Sequence, residues 1–140
     1  MGSIPVRLCD NAFKLCTKLK SVVIPNSVTS IGSNAFRCCE SLKALVIPKN
    51  VTSIGELAFR WCKRLASITV EDENPAYKSI DGDLYTKDGT TLIRYATAKK
   101  ATSFVVPNGV TTIGVSAFED SQKLKSIILP KGLTTIDYSA

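Results

Sequence analysis

Five cysteines and no histidine stand among the residues able to do chemistry. The missing imidazole removes Ser-His-Asp and Cys-His nucleophile pairs, histidine-ligated zinc and histidine acid–base work. Cys9, Cys16, Cys38, Cys39 and Cys62 are an odd set without a C-x-x-C spacing, which argues against a zinc ribbon or a thioredoxin-like motif. Ser and Lys are frequent, but no spacing isolates a Ser-Lys dyad. Asp81-Gly82-Asp83 and Asp88-Gly89 lack the alternating carboxylates and closing Glu of an EF-hand loop, so they are assigned to turns. The expectation is a protein that is not an enzyme and needs neither cofactor nor metal.

The rest of the composition fits one ordinary domain. The 140 residues are 44% hydrophobic and 21% charged, apolar enough to bury a core and too apolar for intrinsic disorder. The longest purely aliphatic run is Ala44 to Ile47, so no membrane insertion is expected. No signal peptide is visible within these residues. Met1-Gly2-Ser3 has the look of an expression scar, which leaves residues 4–140 as a single domain.

Internal repetition decides the architecture. Ala12-Phe13, Ala35-Phe36 and Ala58-Phe59 recur every 23 residues, and Ala117-Phe118 follows after one period plus an insertion of 36. Cys16, Cys39, Cys62 and Ser121 keep step, as do Leu19, Leu42, Leu65 and Leu124, and Pro25, Pro48, Pro107 and Pro130. Within a unit, Leu42 to Ile47 is the strand signature of a leucine-rich repeat, with Leu45 and Ile47 inward and Ala44 and Val46 on the opposite face. Proline then ends the strand. Val51 to Ile54 gives a second short strand; Gly55 lets the chain turn, and Glu56 to Phe59 is expected to make a short helical or 3-10 turn. A lone unit cannot bury these side chains, whereas stacked units can. The fold class expected is an α/β right-handed leucine-rich repeat solenoid with a parallel concave sheet.

Between Val70 and Phe104 the period breaks. Residues 71–103 form a variant unit in which Tyr77 to Ile80 echoes Val51 to Ile54, and a hairpin spans 83–95. Asp88-Gly89 as a two-residue turn would pair Tyr85 with Leu92 and Leu84 with Ile93. The ribbon would carry apolar residues on both faces, one of them packed back on the solenoid.

The repeat unit, Ile24-Pro25-Asn26-Ser27-Val28-Thr29-Ser30-Ile31-Gly32-Ser33-Asn34-Ala35-Phe36 continuing through Cys39 and Leu42, resembles that of the BspA-like leucine-rich repeat family. The resemblance covers nearly all the chain outside the insertion. It implies a bacterial or protist surface protein, cell-surface or secreted, and in some members adhesion to host proteins. The final segment, Leu133 to Ala140, stops in mid-pattern, so further repeats of the same parent chain are expected neighbours.

Two constellations are candidates for function. On the outward strand face, Val23, Val46, Thr69, Val105 and Ile128 form a central row beside Ser21, Ala44, Ser67, Ser103 and Ser126. Solenoids bind on this face, and an exposed apolar stripe marks an interaction surface; alternatively, β-branched residues simply favour strands, or neighbouring modules cover them. Stacking also aligns Lys14, Arg37 and Arg60 into a basic column. Residues 1–70 carry ten basic and three acidic side chains, residues 71–140 eight and nine, an asymmetry that would steer an acidic protein or an acidic glycan. The alternative is solvated turns. No nucleic acid is expected, because aromatics do not interleave with the bases. Cys16, Cys39 and Cys62 read as buried free thiols rather than a disulfide ladder, Cys38 as the reactive thiol, and Trp61 as flank packing or a partner anchor. Together these define a module presenting its concave face to an extracellular or host protein, or else a spacer in a longer surface protein.

Overall fold

The computed structural model describes residues 4–140; the proposed scar lies outside them. Twelve short strands alternate with turns: β1 (Val6–Leu8), β2 (Val28–Ile31), β3 (Ala44–Ile47), β4 (Ser53–Ile54), β5 (Ser67–Val70), β6 (Tyr77–Ile80), β7 (Asp83–Thr86), β8 (Thr91–Arg94), β9 (Ser103–Val105), β10 (Thr112–Ile113), β11 (Ser126–Ile128) and β12 (Thr135–Ile136). Successive coils stack with parallel strands in register: Ser30 faces Ser53, Ala44 faces Ser67, and Ser103 faces Ser126. The alternation in β3 holds, with Leu45 and Ile47 buried and Ala44 and Val46 exposed.

The expected helical turns are absent, and no helix occurs among the described residues. The reason lies in the backbone. Nine non-glycine residues adopt left-handed φ at two fixed points of the unit. One is the residue before the alanine (Asn11, Asn34, Leu57, Ser116, Ser139); the other lies two after the phenylalanine (Leu15, Cys38, Trp61, Asp120). A left-handed corner on either side of Ala-Phe prevents a continuous right-handed helix. It also turns alternate N–H groups sideways, toward the next coil. Asn11, Phe13 and Leu15 donate to the carbonyls of Ser33, Ala35 and Arg37 at 2.9, 2.7 and 2.9 Å. Asn34, Phe36 and Cys38 repeat this with Glu56, Ala58 and Arg60 at 3.0, 2.8 and 2.9 Å. The corner is a lateral ladder, like a sheet.

Glycine after the second strand serves close approach rather than a special torsion, which corrects the expectation for Gly55. A Cβ on Gly55 would lie 2.3 Å from the backbone nitrogen of Ser33, and one on Gly32 2.4 Å from that of Asp10. The coils touch here backbone to backbone.

The insertion differs most from expectation. Residues 77–94 form a three-stranded antiparallel meander, β6-β7-β8, in place of a lone hairpin. Tyr85 does face Leu92, but a bulge sets Leu84 opposite Arg94 instead of Ile93. The connection spans Lys87 to Thr90: Asp88 Oδ1 accepts bonds from Thr86 Oγ1, Thr90 N and Thr90 Oγ1, so the carboxylate organises a longer loop. Both faces of the ribbon are buried, not one. Leu84 packs into the core of the first coils, with Phe36, Phe59 and Ile68, while Tyr85 and Leu92 pack with Val106, Val110 and Ile113. Strand β7 is therefore a partition between two cores. Asp83, expected in a turn, begins this strand fully buried; it accepts the Ala96 N–H at 2.8 Å and pairs with Lys99.

The phenylalanine column follows the same division. Phe13, Phe36 and Phe59 stack with centroids 5.4 and 6.0 Å apart and planes 11° from parallel. Phe118 does not continue that queue; it joins Tyr95 and Phe104 in a second cluster, 5.5 and 5.7 Å away. Sequence reasoning missed that Arg94-Tyr95 lies one 23-residue period before Ala117-Phe118. Tyr95 N–H donates to Ala117 O at 2.9 Å, as Phe13 does to Ala35, so Arg94-Tyr95 is the variant unit's form of the Ala-Phe pair.

Gly55→Ala is expected to cost about 2 kcal/mol or more, since backbone must move. Gly114→Ala, whose nearest neighbour would be Leu92 O at 3.1 Å, should cost clearly less. Leu15→Asn, at an exposed left-handed corner, should raise stability by up to about 1 kcal/mol. Urea melts of the three variants measure each.

Candidate functional site

The outward strand face is exposed where the sequence places it. Val23 is 90% exposed, Val46 51%, Val105 62% and Ile128 60%. Thr69, Ser21, Ala44, Ser103 and Ser126 are also exposed, and Ser67 is half-buried. The face is not one continuous sheet, however. β3 pairs only with β5 and β9 only with β11, leaving two two-stranded patches. The β6–β7 turn stands between them: Ile68 N–H donates to Gly82 O at 2.7 Å and Val70 N–H to Ser79 Oγ at 3.1 Å. Residues 21–24 form no regular strand; their flank is tied by a bond from Lys43 N–H to Lys20 O at 3.4 Å. The central row thus falls into Val23, Val46 and Thr69 on one side of the meander and Val105 and Ile128 on the other.

The basic column is drawn inward. The guanidinium groups of Arg37 and Arg60 each lie 4.5 Å from the centre of the Trp61 ring, so two like charges share one aromatic ring through cation–π contacts. Trp61 is therefore packed on the flank, half-buried. Arg60 is further engaged by Glu119 in a two-pronged pair, Nε to Oε2 and Nη2 to Oε1, both at 2.7 Å. Those bonds hold the Glu119 carboxyl below its ordinary pKa. Of the column, Lys14 alone is exposed. A more open group of bases, Lys43, Lys63, Arg64 and Lys123, surrounds a shallow depression of about 460 Å³ together with Asp120.

The thiols sort by depth in the stack. Cys39 Sγ donates to Phe13 O at 3.2 Å and Cys62 Sγ to Phe36 O at 3.1 Å, so each thiol caps a carbonyl of the coil before it. Burial pushes their pKa up, to about 11 for Cys39 and about 12 for Cys62, with the neighbouring thiols adding to the effect. Cys16 holds the same repeat position but is exposed, because no coil precedes its own among the described residues. Cys38 is buried at 9% exposure, on a left-handed corner with φ 62°; the expectation that it would be the reactive thiol is corrected in favour of Cys9 and Cys16. All five cysteines are free.

One clamp gave no sequence signal. Asn74 in the acidic loop is fully buried. Its amide donates to Pro48 O and Val51 O, both at 2.8 Å, and its Oδ1 accepts from Ala76 N and Tyr77 N. An asparagine inside Glu71-Asp72-Glu73-Asn74-Pro75 looks like any loop residue. Only the bend of the preceding coil brings two carbonyls to it.

This geometry defines a leucine-rich repeat solenoid, and the comparisons with known proteins agree. The model of the BspA type leucine rich repeat region matches residues 5–87 and 93–140 in six copies. The chain belongs to that family. Among solved structures, the pneumococcal vaccine antigen PcpA is 29% identical with a TM-score of 0.84, over 95% of this chain and 35% of that one. A leucine rich cell surface protein from Faecalibacterium prausnitzii is 31% identical with a TM-score of 0.72, over 95% and 39%. A leucine-rich repeat protein from Eubacterium ventriosum is 25% identical with a TM-score of 0.67, over 91% and 46%. The chain thus spans less than half the length of each of these three relatives. A search of curated proteins finds none that matches it.

Native protein treated with iodoacetamide at neutral pH is expected to be modified at Cys9 and Cys16, with Cys39 and Cys62 reacting only on unfolding; peptide mass mapping checks this. Glu119→Gln should cost about 1 kcal/mol at pH 7. A carboxyl whose folded pKa is depressed stabilises above its unfolded value, so the difference should vanish as pH falls through the folded value. Paired denaturant melts between pH 7 and pH 2 measure the convergence.

Proposed function

We propose that this chain is a non-enzymatic protein-interaction module that presents its outward strand face to an extracellular or host protein. The observation that carries the reading is the exposure of Val23, Val46, Val105 and Ile128, β-branched side chains on either side of the meander. Exposed apolar side chains gathered on one rigid face lower the cost of association, because little freedom remains to be lost. Surface presentation is supported by the similarity to a vaccine antigen and a cell surface protein, and adhesion by the family resemblance alone. The exposed Ile127, Leu129, Ile136 and Tyr138 of the last coil suit burial beneath a further repeat of the same parent chain.

A second reading, a structural spacer, is favoured by the uniformity of the neighbouring row, Ser21, Ala44, Ser67, Ser103 and Ser126. Small, similar side chains carry little information for a specific partner. An acidic glycan is a third occupant, suited to the depression among Lys43, Lys63, Arg64 and Lys123, and its binding would weaken steeply with salt.

The experiment is a pull-down on immobilised matrix proteins with wild type and a Val46→Arg plus Val105→Glu double variant. The reading predicts an unchanged melting temperature and loss of binding. Retained binding with an unchanged melting temperature contradicts it.

A further inference from the structure

The lateral ladder stops at the third coil. Leu57, Phe59 and Trp61 occupy the positions whose counterparts, Asn11, Phe13 and Leu15 and then Asn34, Phe36 and Cys38, donate to the next coil; their own N–H groups meet no protein acceptor. The meander fills the space beside β5 but supplies no corner to stack on this one. A cavity of about 210 Å³ remains, walled by Ile54, Ala58, Phe59, Ile93 and Val115.

Arg94 lines the same cavity. It sits where the other units have alanine, is 5% exposed, and its Nε is buried without a partner. Nη1 and Nη2 donate only to the backbone carbonyls of Ser116 and Glu119, at 2.6 and 3.3 Å. The Glu119 carboxylate is occupied by Arg60. Asp120 is close enough to favour the charged guanidinium but forms no ion pair with it, and Glu56 at the rim is exposed. A buried guanidinium without a carboxylate partner is costly, and burial accordingly pushes the Arg94 pKa down. The cavity thus brings two N–H groups without acceptors, those of Leu57 and Phe59, beside the charged guanidinium of Arg94, inside apolar walls. What complements them is an acceptor-only, negatively charged head on a compact hydrocarbon tail.

We propose that this cavity is a binding site for a small monocarboxylate with a short branched apolar tail. A void of about 150 Å³ accommodates benzene, so the 210 Å³ here suits an acid of about five or six carbons. The site is separate from the strand face and does not depend on its role.

The test titrates 3-methylbutanoate, and separately its neutral amide 3-methylbutanamide, into isotopically labelled protein. Saturable shifts are expected at the Leu57 and Phe59 amides with the acid, and binding at least about tenfold weaker with the amide. Arg94→Met, which keeps length and loses charge, should abolish binding. Val115→Phe, which fills the cavity and leaves Arg94 in place, should do the same. Equal binding of acid and amide overturns the proposal. So does the absence of saturable shifts in wild type up to about 10 mM, or undiminished binding in either variant that retains the native amide spectrum.

Discussion

The bond between neighbouring coils is the constraint on which this molecule depends. A 23-residue unit folds nothing by itself; its leucines, isoleucines and phenylalanine are buried only because the next unit covers them. In the first three coils that contact has three parts: parallel strands in register, a lateral ladder across the Ala-Phe corner, and phenylalanine rings stacked nearly plane to plane. Each part sets the others' spacing. The glycines at positions 32 and 55 allow the backbones to close to that spacing, and the Cys39 and Cys62 thiols satisfy carbonyls it brings near. The left-handed corners are strained for Leu15, Leu57 and Trp61. At Leu15 the corner aims the N–H at Arg37 O; at Leu57 and Trp61 it serves from the acceptor side, turning the carbonyls of Glu56, Ala58 and Arg60 toward the N–H groups of the coil before.

Where the meander enters, the three parts separate. Strand β7 stands between the two cores and faces both, Leu84 into one and Tyr85 into the other. The ladder lapses, the ring column breaks, and charge takes over the joint: Arg60 reaches across to Glu119, and Arg94 to the carbonyls of Ser116 and Glu119. The same insertion divides the exposed strand face into two patches. One interruption therefore shapes both surfaces on which a partner or ligand would act.

Most of the architecture was legible in the sequence because it rests on periodicity. Residues repeating at one spacing must occupy equivalent places, and from that followed the solenoid, the inward Leu45 and Ile47, the exposed Val46, and the stacking of Phe13, Phe36 and Phe59; the same argument put Phe118 in that column, and there it failed. What could not be read depends on torsions and on contacts outside the period. The corner between Gly55 and Phe59 has a composition compatible with a helical turn; the left-handed φ at Leu57 that forbids one leaves no trace in residue type. Arg94-Tyr95 keeps the phase of the repeat but not its chemistry, since a charged side chain replaces alanine. Asn74, Asp83 and Glu119 acquire their partners through the fold, from residues 13 to 59 positions away or across a tight turn. The exposed face was visible as a pattern of β-branched residues, while its division was not, because the wedge comes from the turn at Asp81-Gly82.

Amide hydrogen exchange followed residue by residue tests the ladder and its lapse at the third coil most directly. Protection is expected at Phe13, Phe36, Cys38, Tyr95 and Phe118, whose N–H groups reach the neighbouring coil, and rapid exchange at Leu57, Phe59 and Trp61, although the Phe59 ring is buried. Equal protection at Phe36 and Phe59 would contradict the account, since it would mean that the coils pile up without the break.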